Sequence, residues 1–407
     1  MNKFRYLIIG GGVAAGYAAQ EFVEQGVSPG ELGILSADHT LPYDRPPLSK
    51  AFLRGERDRA SVLINPPEFY SDHGIVVRLA TVVGRVDLEH KLAYTDDETI
   101  SFDRLMIATG ARPRRFDLPG SDLRNIFYLR RMDQSLAIQA AAHNIKNAVV
   151  IGGSFIGMEV AASLRQLGVA VDMVYMEDHV WEAIFTPPMS AYFENYLQAH
   201  GVGLYPGSQV KKFLGAGQVT AVQLQNGKIL PADMVVAGIG VLPNTEVFAQ
   251  SPLKIDDGIL VNRFLETNMP DVYAVGDVAR YHDVIFDRPL RLEHWDNALA
   301  QSKLAARGLL GKREKFVHVP YFFSDVFDLS YEYWGDHRTA DRVIYRGEVD
   351  QGSFSTWWLE GECLVAAFVL NRPDEERELA QELIRSGQPV TEGELTGDLE
   401  AVQAAGD

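Results

Sequence analysis

Two stretches decide how this chain reads: Tyr6-Leu-Ile-Ile-Gly-Gly-Gly-Val-Ala-Ala-Gly16 and Ala148-Val-Val-Ile-Gly-Gly-Ser-Phe-Ile-Gly-Met-Glu159. In each, aliphatic and β-branched residues run into a glycine-rich turn, and a helix follows at once. Such a turn is too tight for side chains. The free N–H groups and positive dipole end of the helix behind it can hold a pyrophosphate. The first stretch has Gly10, Gly12 and Ala15 at the three small-residue positions; the second has Gly152, Ser154 and Gly157. Ser154 is a departure, because a side chain stands where a pyrophosphate usually meets bare backbone. One such turn is weak testimony. Two in one chain imply two dinucleotides, one to be oxidised and one to be reduced.

Composition bounds the rest. At 407 residues the chain exceeds one ordinary core, so two or three domains are expected. A hydrophobic content of 46% with 23% charged residues fits a soluble globular protein. No apolar run reaches the length of a membrane span, and the first strand begins by Phe4, so neither a membrane span nor a leader peptide is expected. A cytoplasmic location is the default. The net charge of −17 argues against nucleic acid, which needs a concentrated basic face. The single cysteine, Cys363, lies in the strand-like Glu362–Leu370 and reads as a small buried hydrophobe. One cysteine cannot make an internal disulfide, a redox pair or a cysteine-rich metal site. No metal is expected.

Along the chain, β-α-β patterns occupy 4–36 (strand 4–9, helix 13–25, strand 31–36) and 147–175 (strand 147–151, helix 155–167, strand 170–175). Pro46 and Pro47 suit the first turn of a helix through Ser49–Leu53. A helix over Pro188–His200, strands around the Asn226-Gly227 turn and a helix over 296–310 follow. From 316 onward the pattern turns to aromatic-rich strands, then a helix at 374–386. The acidic tail lacks Lys and Arg from Gln388 on, and is expected to be disordered.

Five motifs in this order resemble the FAD- and NAD(P)H-dependent oxidoreductases with two dinucleotide-binding domains. They are Gly10–Ala15, Leu41-Pro-Tyr-Asp-Arg-Pro-Pro-Leu-Ser-Lys50, Ile107-Ala-Thr-Gly-Ala-Arg-Pro113, Ile151–Glu159 and Val272-Tyr-Ala-Val-Gly-Asp-Val-Ala279. The segment Leu41–Lys50, with Arg291–Ala298 and Tyr321–Asp328, is similar to the branch holding apoptosis-inducing-factor-like proteins and the ferredoxin reductases of oxygenase systems. Disulfide reductases of this superfamily carry a cysteine pair near the position of Pro46–Leu53, and this chain has none there. The resemblance implies an α/β fold: two Rossmann-like dinucleotide-binding domains and a C-terminal α+β domain. It implies a discontinuous FAD-binding domain (1–115 and 242–315), an NAD(H)-binding domain (116–241), the α+β domain (316–390) and the tail (391–407).

The resemblance also distributes roles. FAD falls to Gly10, Gly12, Ala14 and Ala15, to Asp38 for the ribose, Arg45 for a phosphate or ribose, and Val82. Thr109, Gly110, Arg130, Gly276 and Asp277 complete that site, with Glu293, His294 and Trp295 before the helix whose N-terminus faces the flavin's carbonyl edge. The nicotinamide nucleotide falls to Gly152, Ser154, Phe155, Ile156, Gly157, Glu177 and Gly240. Two positions expected to be acidic hold Ala37 and Tyr175 instead. No Lys or Arg follows Tyr175 in this loop, so NADH is expected over NADPH. Lys50, Glu159 and Trp295 are the candidates for chemistry: an ammonium near the flavin would stabilise developing negative charge, Glu159 would hold it, and Trp295 would flank the flavin or nicotinamide ring. The implied activity is NADH oxidation through FAD, with electrons passed to a [2Fe–2S] ferredoxin, a quinone or oxygen. A redox sensor that binds NADH and turns over slowly stays open. So does a homodimer.

Overall fold

The computed structural model describes residues 2–391, 393 and 395 of the chain. Of the tail from Gln388 on, expected to be disordered, all but residues 388–391, 393 and 395 lies outside the described residues. Contacts divide the molecule into two compact units: 1–45, 59–112 and 242–321 in one, and 46–58, 113–241 and 322–407 in the other. The short segment Pro46–Asp58 therefore belongs with the second unit.

In the first unit the strand Asn2–Ile9 is covered on both faces over Tyr6–Ile9, the part that reads as apolar, and it enters the turn at Gly10. It pairs in parallel with Leu32–Leu35 on one side and Thr99–Ile107 on the other. Val76–Arg78 extends the sheet beyond Leu32–Leu35, and Val272–Ala274 pairs in parallel with Thr99–Ile107. Helices Val13–Glu24 and Trp295–Leu309 pack on this sheet, burying Ala15, Ala18, Ala19, Phe22, Ala305 and Leu309.

The second unit holds another parallel sheet, in the order Val202–Tyr205, Ala170–Val174, Asn147–Ile151, Met234–Ala237, Ile126–Phe127. Helices Phe155–Gln166 and Pro187–Ala199 belong to it. A second sheet in this unit joins Tyr321–Val326, Leu329–Gly335, Cys363–Leu370, Ser353–Glu360 and Arg342–Glu348, in that order. The helix Asp374–Ser386 carries Leu379, Ala380, Leu383 and Ile384 inward.

Two local expectations differ from what is seen. The stretch after Pro46 is a 3-10 turn, Pro46–Ser49, followed by turns and not by a regular helix. Its backbone bonds alternate in span: Lys50 and Phe52 N–H both donate to Pro47 O, and Arg54 N–H donates to Lys50 O. The helix Met132–Ala142 and the strand Arg342–Glu348 were not expected.

Candidate functional site

The first glycine turn has a bare entrance. Gly12 caps the helix Val13–Glu24 with no side-chain bond to its amides, and the first turn contains no acid. A Cβ added at Gly12 would meet only the Arg45 guanidinium, with Nη2 at 3.3 Å. Helix amides and a guanidinium at one point suit a doubly charged pyrophosphate. Gly10 could not be replaced: it sits at φ +125°, and a Cβ there would stand 2.0 Å from Ala108 O. Ala14 and Ala15 are buried in the helix behind. Asp38 is half-buried; its carboxylate accepts the Tyr43 hydroxyl at 2.8 Å and the Thr40 N–H at 3.2 Å. Val82 is exposed.

Elsewhere in this unit, Thr109 and Gly110 are fixed by a residue the sequence reading did not single out. Asn244 Nδ2 donates to Thr109 O at 2.8 Å, Thr109 Oγ1 donates to Asn244 O at 2.8 Å, and Asn244 N–H donates to Gly110 O at 2.9 Å. Gly276 and Asp277 lie buried in a 3-10 turn, where Gly276 N–H donates to Gln301 Oε1 at 2.8 Å. Trp295 begins its helix, and its indole N–H donates to Asp44 Oδ1 at 2.7 Å. The Tyr17 hydroxyl donates to the same oxygen at 3.2 Å, and its ring meets Trp295 edge-on, 5.8 Å between centroids. Burial, with Asp44 beside it, pushes the Tyr17 hydroxyl's pKa up. Asp44 too was missed. Glu293 is exposed and pairs with Arg291 at 2.7 Å. Burial lowers the His294 pKa to about 4 against the pull of Asp277 and Asp296, so its imidazole is neutral at physiological pH.

The second unit brings together Lys50 and Glu159. Lys50 Nζ lies 3.2 Å from Glu159 Oε1, with the side chains 11% and 4% exposed. Glu159 also accepts the Ser49 hydroxyl on Oε2 and the Ser324 hydroxyl on Oε1, the latter at 2.7 Å. Ser163, one helical turn on, donates to Ser49 O at 2.7 Å. Asp325 Oδ2 lies 3.6 Å from Lys50 Nζ, and the Phe323 ring is 5.0 Å from it. The buried carboxylate thus has three donors, and the ammonium is held between two acids. Sequence reading placed Lys50 and Glu159 together but missed Ser49, Ser324 and Asp325. Only the folded chain brings Ser324 to a residue 165 positions away.

The second glycine turn is crowded by backbone as the first is. Gly152, at φ +121°, would put a Cβ 2.2 Å from Gly238 O, and Gly157 would put one 2.1 Å from Gly152 O. Ser154 caps the helix without a side-chain bond, leaving the amides open to an anion. Phe155 and Ile156 begin that helix, and Phe155 stacks on Phe322 at 5.8 Å. Glu177 is exposed. Gly240, at φ +88°, accepts the Arg114 N–H at 2.9 Å. Arg130 precedes the helix Met132–Ala142, with its N–H donating to Gln134 Oε1 at 2.8 Å. Among the described residues no group of His, Cys, Asp and Glu is placed to hold a metal ion, and no helix is long and apolar enough to cross a membrane.

Each of the two glycine turns thus ends a parallel strand and opens a helix whose cap makes no side-chain bond to its amides, and the chain around them is similar to known proteins over nearly its whole length. The pyridine nucleotide-disulphide oxidoreductase profile matches residues 4–302, and a reductase C-terminal profile matches 321–403. The chain belongs to the pyridine nucleotide-disulphide oxidoreductase family. It is 40% identical to the peroxisomal monodehydroascorbate reductase 4 of Arabidopsis thaliana, over 96% of this chain and 84% of that protein. It is 36% identical to the monodehydroascorbate reductase of Pisum sativum, over 96% of each. Among solved structures, putidaredoxin reductase in its covalent complex with putidaredoxin superposes with a TM-score of 0.94 at 32% identity, covering 99% of this chain and 98% of that one. The ferredoxin reductase for the CYP199A2 system of Rhodopseudomonas palustris gives 0.93 at 31% identity, covering 99% and 100%. Like its family, the protein is an FAD-binding oxidoreductase that uses NAD(P)H. Its one cysteine, Cys363, lies far in sequence from Pro46–Leu53 and is half-buried at the start of its strand, with its thiol donating to Gly387 O, instead of the buried hydrophobe expected.

Proposed function

We propose that this protein is an NADH-dependent FAD oxidoreductase whose electrons go to a [2Fe–2S] ferredoxin. Bound FAD would supply hydride acceptance from the nicotinamide and release of electrons one at a time. The chain's residues would do the rest. Gly12, the amides of its helix and Arg45 hold one pyrophosphate; the amides of the helix that Ser154 opens hold the other. Lys50, kept in place by Glu159, offsets negative charge as it develops on the cofactor, and burial makes that ammonium worth more than in water. Trp295, anchored through its N–H to Asp44, offers a fixed aromatic face. His294 carries no imidazolium proton at pH 7.

The single observation carrying this reading is the buried Lys50–Glu159 pair, with Lys50 in the segment where a disulfide reductase would carry its cysteines. Electrons then leave without a dithiol. The near-complete overlap with two ferredoxin reductases supports a ferredoxin as the acceptor. A second reading has its own support: curated relatives 34–40% identical to this chain are monodehydroascorbate reductases. For nucleotide choice, the exposed Glu177 and Asp178 favour ribose hydroxyls over a 2′-phosphate, hence NADH.

The test is an anaerobic mixing experiment. NADH-bleached protein is offered a [2Fe–2S] ferredoxin, or monodehydroascorbate generated in place, and kcat/KM is compared for each with NADH and NADPH. Faster discharge by the ferredoxin is expected. Preference for monodehydroascorbate assigns the second reading. A bleached protein that neither discharges would support a sensor.

A further inference from the structure

Tyr175 follows the second strand of the nucleotide-binding sheet directly, at a position where the family resemblance expects an acid. Its ring lies against Gly153, with ring atoms 3.0 to 3.2 Å from where a Cβ would stand, and the residue is buried. Its hydroxyl donates to Glu194 Oε1 at 3.1 Å. The same oxygen accepts the Val180 N–H at 2.9 Å and lies 3.5 Å from His179 Nδ1. One helical turn before Glu194, Ser190 Oγ donates to Val180 O at 2.9 Å.

The next residue ties the loop to the glycine turn itself. Trp181 N–H donates to Gly153 O at 2.9 Å, and Trp181 sits at φ +47°, a left-handed conformation that a bulky residue takes only when its surroundings impose it. At the loop's start, Ser208 N–H donates to Tyr175 O and Gly207 N–H to Glu177 O, at 2.8 and 2.9 Å. Met176, Glu177 and Asp178 are thus fastened on both sides and exposed at the tip.

We infer that Tyr175 and Glu194 are positioning residues for nucleotide specificity: they fix the loop so that Glu177 meets the adenosine ribose of the nicotinamide nucleotide. This rests on the NADH reading above. A carboxylate accepts hydrogen bonds from a ribose diol and repels a 2′-phosphate, but only if it is held in place. An acid at the strand's end is held by the sheet. An acid two residues further along is not, and ordering it on binding would cost affinity. The Tyr175–Glu194–Val180 bonds supply that order in advance, from a neighbouring helix.

The holoenzyme with Tyr175→Phe, Glu194→Gln or Glu177→Gln, and with Glu177→Gln combined with each of the other two, tests this by calorimetric Kd for NAD⁺ and NADP⁺ and by steady-state kinetics. Tyr175→Phe removes only one oxygen, so folding is retained if the Glu194 variant fails to fold. Each clamp variant should weaken NAD⁺ about fivefold to tenfold, raise KM for NADH and leave kcat and NADP⁺ binding unchanged. In the Glu177→Gln background the clamp variants should add little, because they act through Glu177. Unchanged NAD⁺ binding in both clamp variants overturns the inference, as does a loss that persists in full without Glu177. If Glu177→Gln itself leaves NAD⁺ binding intact, the NADH reading fails on its own account, and the inference with it.

Discussion

The two glycine turns are built on one plan and furnished differently. In each, the residue directly after the second strand packs against the middle glycine: Ser36 on Gly11, with Oγ 2.0 Å from where a Cβ would stand, and Tyr175 on Gly153. In each, an acid stands two residues later, Asp38 and Glu177. The seventh residue after the first glycine is Tyr17 in one and Glu159 in the other. Tyr17 joins Trp295 on the Asp44 carboxylate, while Glu159 gathers Lys50 and two serines. Glycine positions are fixed by backbone crowding, which no partner can relieve. The surrounding positions carry the difference between the halves.

The largest expected effect comes from the seventh position. Glu159→Ala would leave the Lys50 ammonium buried beside Asp325 alone, and removing one member of a buried pair costs about 3–5 kcal/mol. Tyr17→Phe removes one neutral donor from a carboxylate that keeps Trp295, and should cost about 1 kcal/mol. Urea unfolding of the two variants measures the contrast. Equal losses would mean that the Glu159 network is no more than packing.

A second difference is readable in pH. His294 has a folded pKa of about 4 against an ordinary value near 6.5, so the unfolded chain binds a proton that the folded one refuses. The stability it contributes is whole above pH 6.5 and is lost as pH falls through 4. Replacing it with Gln should flatten the fall in unfolding free energy between these limits. A slope unchanged in that window would show that His294 is not the group responsible.

Both turns were legible because local sterics write them: alternatives to Gly10 and Gly152 strike a carbonyl at 2.0 and 2.2 Å. The strand cores leading into them, Tyr6–Ile9 and Ala148–Ile151, followed from apolar runs buried on both faces. Other elements left no such mark. Arg342–Glu348 buries Ile344 while both its ends are exposed, so no alternation announces a strand. Met132–Ala142 is alanine-rich and shows no clear apolar stripe. The proline pair before Ser49 suggested a helix, but bonds of mixed span formed in its place. Within the site, Lys50 and Glu159 could be named from motifs. Ser324 on Glu159 and Asn244 on Thr109 could not, because those bonds join residues 165 and 135 positions apart and obey no local period.

The remaining contrast is between Gly12 and Ser154, equivalent caps of the two helices. Gly12→Ser should fold, since the only atom near its Cβ belongs to the movable Arg45 side chain. The added hydroxymethyl would then crowd the pyrophosphate, and FAD should dissociate about tenfold more readily, read as the flavin fluorescence released on dilution. Ser154→Gly is the reverse exchange and the smallest effect. Ser154 makes no side-chain bond to the helix amides, so its removal should change stability by only a few tenths of a kcal/mol. What it removes is bulk at the anion's place. NAD⁺ affinity should rise about twofold to threefold with kcat unchanged, because binding alone is altered. A fall in affinity would mean that the Ser154 hydroxyl itself binds the nucleotide, and that the second turn is furnished for its ligand rather than crowded against it.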